Sequence, residues 1–193
     1  MPSKSMALSH RFMSLDADKR RVFLDRLREQ GLSLSSLPIP PGVAGPESPA
    51  SYAQQRLWFI DRLDPGNSAY HLTGTLRLRG HLDPDCLEEA FEELGRRHDS
   101  LRTRFPADAE GQPVQQVVEP ASVRLERVEL DDRAAWQNVV EELARRPFDL
   151  AEGPLWRVGL IALEPEDHVL VLCQHHIITD GWSIQILLSE LAT

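Results

Sequence analysis

The alternation of apolar and polar positions divides the chain into a sparse leading stretch and a dense main body. Residues 14–30 place Phe23, Leu24 and Leu27 near one face and surround them with arginines and acids, which predicts a short amphipathic helix. Ser14 stands as its cap, Asp16 and Asp18 suit the positive end of the helix dipole, and Gly31 is its stop. Leu37-Pro38-Ile39-Pro40-Pro41-Gly42 follows, with Gly45, Pro46 and Pro49 beyond it. Proline fixes φ and excludes both helix and central strand, so this stretch reads as a semi-rigid extended linker. A domain boundary is expected here, with residues 1–50 as a leading helix and linker and residues 51–193 as the main body.

From Ser51 the pattern becomes regular. Ser51-x-x-Gln54 is a capping box for a helix through Leu57, Trp58, Ile60 and Leu63, stopped at Asp64-Pro65-Gly66. Residues 70–79 alternate and predict a strand ending at Gly80. Asp83-Pro84 caps a helix to about Arg97 with Leu87, Ala90, Phe91 and Leu94 on its stripe. Residues 101–105 and 114–118 read as a hairpin about the turn 108–111, and 123–130 as a further strand. Asp131 or Asp132 opens a helix through Trp136 and Leu143, ended by Pro147. Residues 155–163 and 168–175 predict two strands, the second apolar at successive positions from Val169 to Cys173, the mark of burial on both faces. After a turn at Thr179-Asp180-Gly181, a last helix carries Ile184, Leu187, Leu188 and Leu191. Strands and helices mix without strict alternation, which predicts an α/β layered structure (an α+β sandwich) with much antiparallel pairing.

Composition adds exclusions. The net charge of −9 supplies no basic stripe for nucleic acid, and no apolar run approaches the length of a membrane span or a signal peptide core. The two cysteines, Cys86 and Cys173, sit inside apolar patterns and read as reduced, buried thiols, so a cytoplasmic setting is expected.

The candidate chemistry lies in Gln174-His175-His176-Ile177-Ile178-Thr179-Asp180-Gly181-Trp182, where a buried strand runs into a tight turn and a new helix. A rigid scaffold can hold a side chain at the mouth of a cleft there. Alternation puts His175 and His176 on opposite faces, so one of them can face a given cleft. An imidazole here can accept a proton from an attacking amine or orient it at physiological pH. Asp180 is near enough to organise the loop, and Gly181 permits a backbone conformation that other residues avoid. Spacing alone leaves a purely structural role for both histidines open. A metal site from Cys173, His175 and Asp180 lacks a recognised ligand spacing, and no serine sits in a nucleophile elbow. His10, His71, His81, His98 and His168 read as ordinary surface or core histidines.

His175-His176-Ile177-Ile178-Thr179-Asp180-Gly181 resembles the HHxxxDG signature of the condensation domains of nonribosomal peptide synthetases. Residues 51–59, SYAQQRLWF, resemble that family's first motif, and residues 97–105, RHDSLRTRF, its second, with Asp99 where glutamate is usual. The resemblance implies a chloramphenicol-acetyltransferase-like fold, here its N-terminal lobe only, with the second lobe beyond the chain and the isolated fragment inactive. It implies that His176 is catalytic, as base or positioning group, with His175, Asp180 and Gly181 completing the motif. Asp180 is then expected to pair with Arg102, and Gly181 to let the loop pass close to the substrate path. It implies amide formation between a carrier-bound acyl or peptidyl thioester and a carrier-bound aminoacyl acceptor. No directly bound cofactor or metal is implied: phosphopantetheine arms of carrier domains bring both substrates, and adenylation domains are further partners. An epimerization domain shares the histidine motif, but the first motif favours condensation. A heterocyclization domain is disfavoured because its aspartate-based motif replaces the two histidines, and the first two motifs count against the further rival, a stand-alone coenzyme A acyltransferase. A non-catalytic docking or carrier-binding fragment is the reading of a different class. The segment before Ser51 resembles the helix and Leu-Pro-Ile-Pro linker that precedes such domains, and is a docking element or a tether.

Overall fold

The computed structural model describes residues 4–38, 47–120, 123–130 and 132–192. The chain divides into two compact units, residues 1–45 and 46–193.

Among the described residues the first unit holds two α-helices, α1 (Lys4–Met13) and α2 (Ala17–Glu29), and a short 3-10 turn, Leu34–Ser36. The cap of α2 is Asp16 rather than Ser14: its carboxylate accepts the Lys19 amide at 2.9 Å, a geometry the longer acidic side chain reaches from just outside the first turn. Helix α1 has no counterpart among the expected elements, although five of its ten residues are apolar. It is tied down by tertiary contacts, Phe12 against Phe23 at 5.6 Å between ring centroids and the Ser9 hydroxyl donating to the Pro38 carbonyl at 2.6 Å. Most of the proline-rich linker, residues 39–46, lies outside the described residues.

The second unit begins with β1 (Glu47–Pro49), which takes residues 47–49 out of the expected linker. Pro49 is tolerated there because β1 is the edge of a three-stranded sheet of order β1-β4-β3, with β3 being Thr103–Arg104 and β4 Val114–Val117. The strand expected over 101–105 is mostly a 3-10 turn, Asp99–Arg102. The Thr103 hydroxyl donates to the Asp99 carbonyl at 2.7 Å, and the Phe105 amide leaves the ladder for the Leu150 carbonyl at 2.6 Å.

The larger sheet has the order β2-β7-β6-β5, built from β2 (His71–Arg79), β5 (Leu125–Glu129), β6 (Trp156–Glu164) and β7 (Asp167–His175). Its three inter-strand pairings are antiparallel except β5 with β6, which is parallel. Strand β7 is central and buried along eight of its nine residues, as its unbroken apolar run required. Val169 and Val171 face α5 (Trp136–Arg145), while Leu170 and Leu172 face the core shared with α4 (Pro84–Arg97) and α6 (Gly181–Leu191). Gly159 lets α5 settle onto the sheet, since an added Cβ would lie 2.7 Å from Leu143 Cδ1. Cys173 is buried, but Cys86 is exposed: it precedes the α4 stripe in the helix's first turn, beside its cap Asp83. Among the described residues no helix is long and apolar enough to cross a membrane.

Candidate active site at the histidine motif

The end of β7 is held from both sides. The His175 amide donates to the Leu155 carbonyl at 2.9 Å, and the His176 amide to the Tyr70 carbonyl at 2.8 Å. Alternation then separates the two rings: His175 is 3% exposed, whereas His176 is exposed.

His175 Nδ1 accepts the Ile177 amide at 3.1 Å, so the ring proton sits on Nε2. The edges of His71 and Phe148 close around it, with centroids at 5.9 and 6.4 Å. Burial above all, then the neighbouring His71 and His176, push its pKa down to about 4. The unfolded chain therefore binds a proton here that the folded chain refuses. Stability is complete above pH ~6.5 and falls as the pH drops from there to about 4, by about 3 kcal/mol at most for this group. Urea midpoints taken across that window check it, and a flat profile overturns the assignment of His175 as a neutral buried ring.

His176 is arranged in the opposite sense. Its Nδ1 lies 2.7 Å from the Thr179 carbonyl, which can only accept, so Nδ1 donates and Nε2 is the nitrogen left for a substrate. The ring lines a cleft of about 650 Å3 with Gln54, Arg56, Tyr70, Asp180 and Ser183.

Asp180 caps α6, accepting the Ser183 amide at 2.8 Å and its hydroxyl at 2.7 Å. These bonds hold the carboxyl below its ordinary range. The expected pairing of Asp180 with Arg102 is not made: among the described residues Arg102 pairs with Asp99 and donates to the Val118 carbonyl at 2.8 Å. The helix end claims the aspartate, and the 3-10 turn holds the arginine on its own side. Gly181 also departs from expectation. It is the first residue of α6, it is not among the glycines at positive φ, and an added Cβ would meet nothing within 4 Å. Among the described residues, no backbone demand requires glycine there. The depressed carboxyl contributes stability that is present above the unfolded pKa and lost as pH falls through the folded one. Asp180→Asn, which caps without a charge, is expected to remove that contribution to acid sensitivity while keeping the Ser183 amide protected from hydrogen exchange.

The first two motifs are tied to this loop by contacts that spacing did not reveal. Gln54 closes the capping box, its Oε1 accepting the Ser51 amide at 2.8 Å, while its Nε2 donates to Gln115 Oε1 at 3.1 Å and the Ile177 carbonyl at 3.4 Å. Trp58 Nε1, on α3 (Tyr52–Leu63), donates to the Phe105 carbonyl at 3.0 Å. Arg97 and His98 meet Glu190 at 3.1 and 2.8 Å, joining α4 to the end of α6. His98 is thus a helix-to-helix link, and His71 a packing partner of the motif, with its Nδ1 on the Ala144 carbonyl at 2.7 Å. No signal in the sequence separates these two from the other histidines. Among the described residues no three His, Cys, Asp or Glu side chains are placed to share a metal, and Cys173, His175 and Asp180 do not converge.

The family model described as Condensation domain matches residues 46–193. The chain belongs to the condensation-domain family. Its relatives by sequence include a linear gramicidin synthase from Brevibacillus parabrevis, 41% identical over 84% of this chain, and the phosphinothricin tripeptide synthetase PhsC of Streptomyces viridochromogenes, 37% identical over 95% of it. The chain spans 3% and 18% of the lengths of those two proteins. Among solved structures, the X-domain from teicoplanin biosynthesis in its complex with OxyB superposes with a TM-score of 0.72 and 33% identity over 79% of this chain. The first condensation domain of the calcium-dependent antibiotic synthetase, in complex with a substrate analogue, gives 0.70 and 27% over 76%. The match covers 33% and 36% of those chains, so the condensation-domain fold, chloramphenicol-acetyltransferase-like, is present here in part.

Proposed function

We propose that this chain is the histidine-bearing lobe of a nonribosomal peptide synthetase condensation domain, and that His176 serves amide formation between two carrier-bound substrates. The observation that carries this reading is the placement of His176, whose Nδ1 is held on the Thr179 carbonyl and whose ring lines the cleft. The acceptor amine attacks the thioester carbonyl of the donor, a C–N bond forms, and the C–S bond breaks. Nε2 orients the amine and takes its proton as the bond forms, and the proton passes to the departing thiolate. His175, buried and neutral, positions the loop without touching substrate. Asp180 anchors the start of α6 in the same way. The open space at Gly181 leaves a path for a phosphopantetheine arm. The partners are then peptidyl or acyl carrier domains on either side and the adenylation domains that load them, in a cytoplasmic synthetase. The segment 1–45 acts as a tether or docking element ahead of the domain.

The test uses the domain extended through its second lobe, with carriers loaded with candidate donor and acceptor and intact mass as the readout. Amide product is expected. A racemised aminoacyl carrier without amide points to epimerization instead. Carrier binding without turnover favours the docking reading, the role suggested by the X-domain's complex with OxyB.

A further inference from the structure

We infer that the chain holds a second, small-molecule site, a cavity lined from α4, β3, β5 and β6 that takes an amphipathic anion with an apolar body and a carboxylate or phosphate head. The cavity has a volume of about 460 Å3 and shares no lining residue with the cleft that contains His176. Ligand pockets of about 300–1,000 Å3 suit ligands of this size. Its floor is apolar, formed by Leu101, Val118, Val123 and the buried indole of Trp156.

Charge on its walls favours an anion. Arg102, Arg104, Arg124 and Arg157 line it against two acids, Glu126 and Glu152. Both acids are already engaged, Glu126 by Arg146 at 2.7 and 2.9 Å and Glu152 by Arg104 at 3.7 Å. Of these four guanidinium groups, one is left open to a ligand among the described residues. Arg124 makes no ion pair among the described residues, and Arg157 spends its donors on the carbonyls of Leu143, Arg146 and Pro147. The Arg157 guanidinium also stacks 3.8 Å over the Phe148 ring, so the chain itself holds it. Arg102, whose charge Asp99 already meets, is held at the wall by the Val118 carbonyl.

Gly95 is the second, independent observation. It lies buried in α4, it is not at positive φ, and an added Cβ would rest 3.4 Å from Trp156 Cζ2 and 3.5 Å from Val123 Cγ2. Neither the backbone nor crowding requires glycine there, and glycine inside a helix is unfavourable. Its missing side chain leaves the room above Trp156.

The experiment uses the 193-residue chain and three probes: decanoate, decyl phosphate and decanol. Calorimetry gives affinity, and fluorescence reports contact at Trp156, with Trp156→Phe expected to lose the change. Both anions are expected to bind at least tenfold more tightly than decanol, and binding should weaken with salt. Arg124→Gln should weaken the anions on the order of tenfold. Gly95→Leu, which takes up the space beside Trp156, should weaken binding at least tenfold, and the smaller Gly95→Ala should weaken it less while melting no lower than the parent. Binding of one anion alone keeps the site and names its head group. Equal affinity for decanol, or wild-type affinity in a folded Gly95→Ala protein, overturns the proposal.

Discussion

Replacing His176 with alanine in the complete condensation domain is expected to reduce amide formation by about 10²–10⁴-fold, the range spanned by a positioned general base. The expectation follows from what the ring does in the fold. Its Nδ1 bond to the Thr179 carbonyl leaves one nitrogen to meet the amine, and the exposed ring carries no core packing whose loss would unfold the domain. Carrier binding and the thermal midpoint should therefore stay close to wild type while turnover collapses. Retained turnover would remove His176 from the chemistry and return attention to His175, which is buried and would have to move to reach a substrate.

Phe105→Ala should have the largest effect on stability. The ring is fully buried, and aromatic-to-alanine changes in a core cost about 3–5 kcal/mol because a cavity remains. That is a large share of the roughly 5–15 kcal/mol that holds a domain together. The backbone at Phe105 also joins three segments: its amide donates to Leu150, and its carbonyl accepts the Trp58 indole. Urea unfolding should show a much lower midpoint with little change in slope. Phe105→Leu, which keeps most of the volume, should cost less than about 1.5 kcal/mol. If the two variants behaved alike, the residue would be less tightly packed than its burial indicates.

Most elements of the second unit were legible because their signals are local. The Ser51–Gln54 box, the Asp83-Pro84 start of α4 and the unbroken apolar run of β7 each carry their own physical reason, and each formed where expected. The opposite fates of His175 and His176 follow from alternation alone. What could not be read was the destination of polar side chains across the fold. Gln54 already had a local use, and nothing in its neighbourhood announces Ile177, more than a hundred positions away. Arg102 and Asp180 looked like partners through family resemblance, yet each found a nearer one, Asp99 three residues back and Ser183 three residues ahead. Helix α1 and strand β1 failed to declare themselves for the same reason, since contacts distant in sequence order them.

The pairing of β2 with β7 runs from His71 opposite His175 to Arg79 opposite Asp167, so the partners are made 88 to 104 residues apart. At ribosomal speeds of about 5–20 residues per second, β2 waits roughly 4–20 s after synthesis before its neighbour exists. Until then Tyr70 has no His176 to receive, and the imidazole has no fixed place. The cleft is among the last features of this unit to form, so a newly made chain passes through an interval in which its earlier helices are present and its chemistry is not.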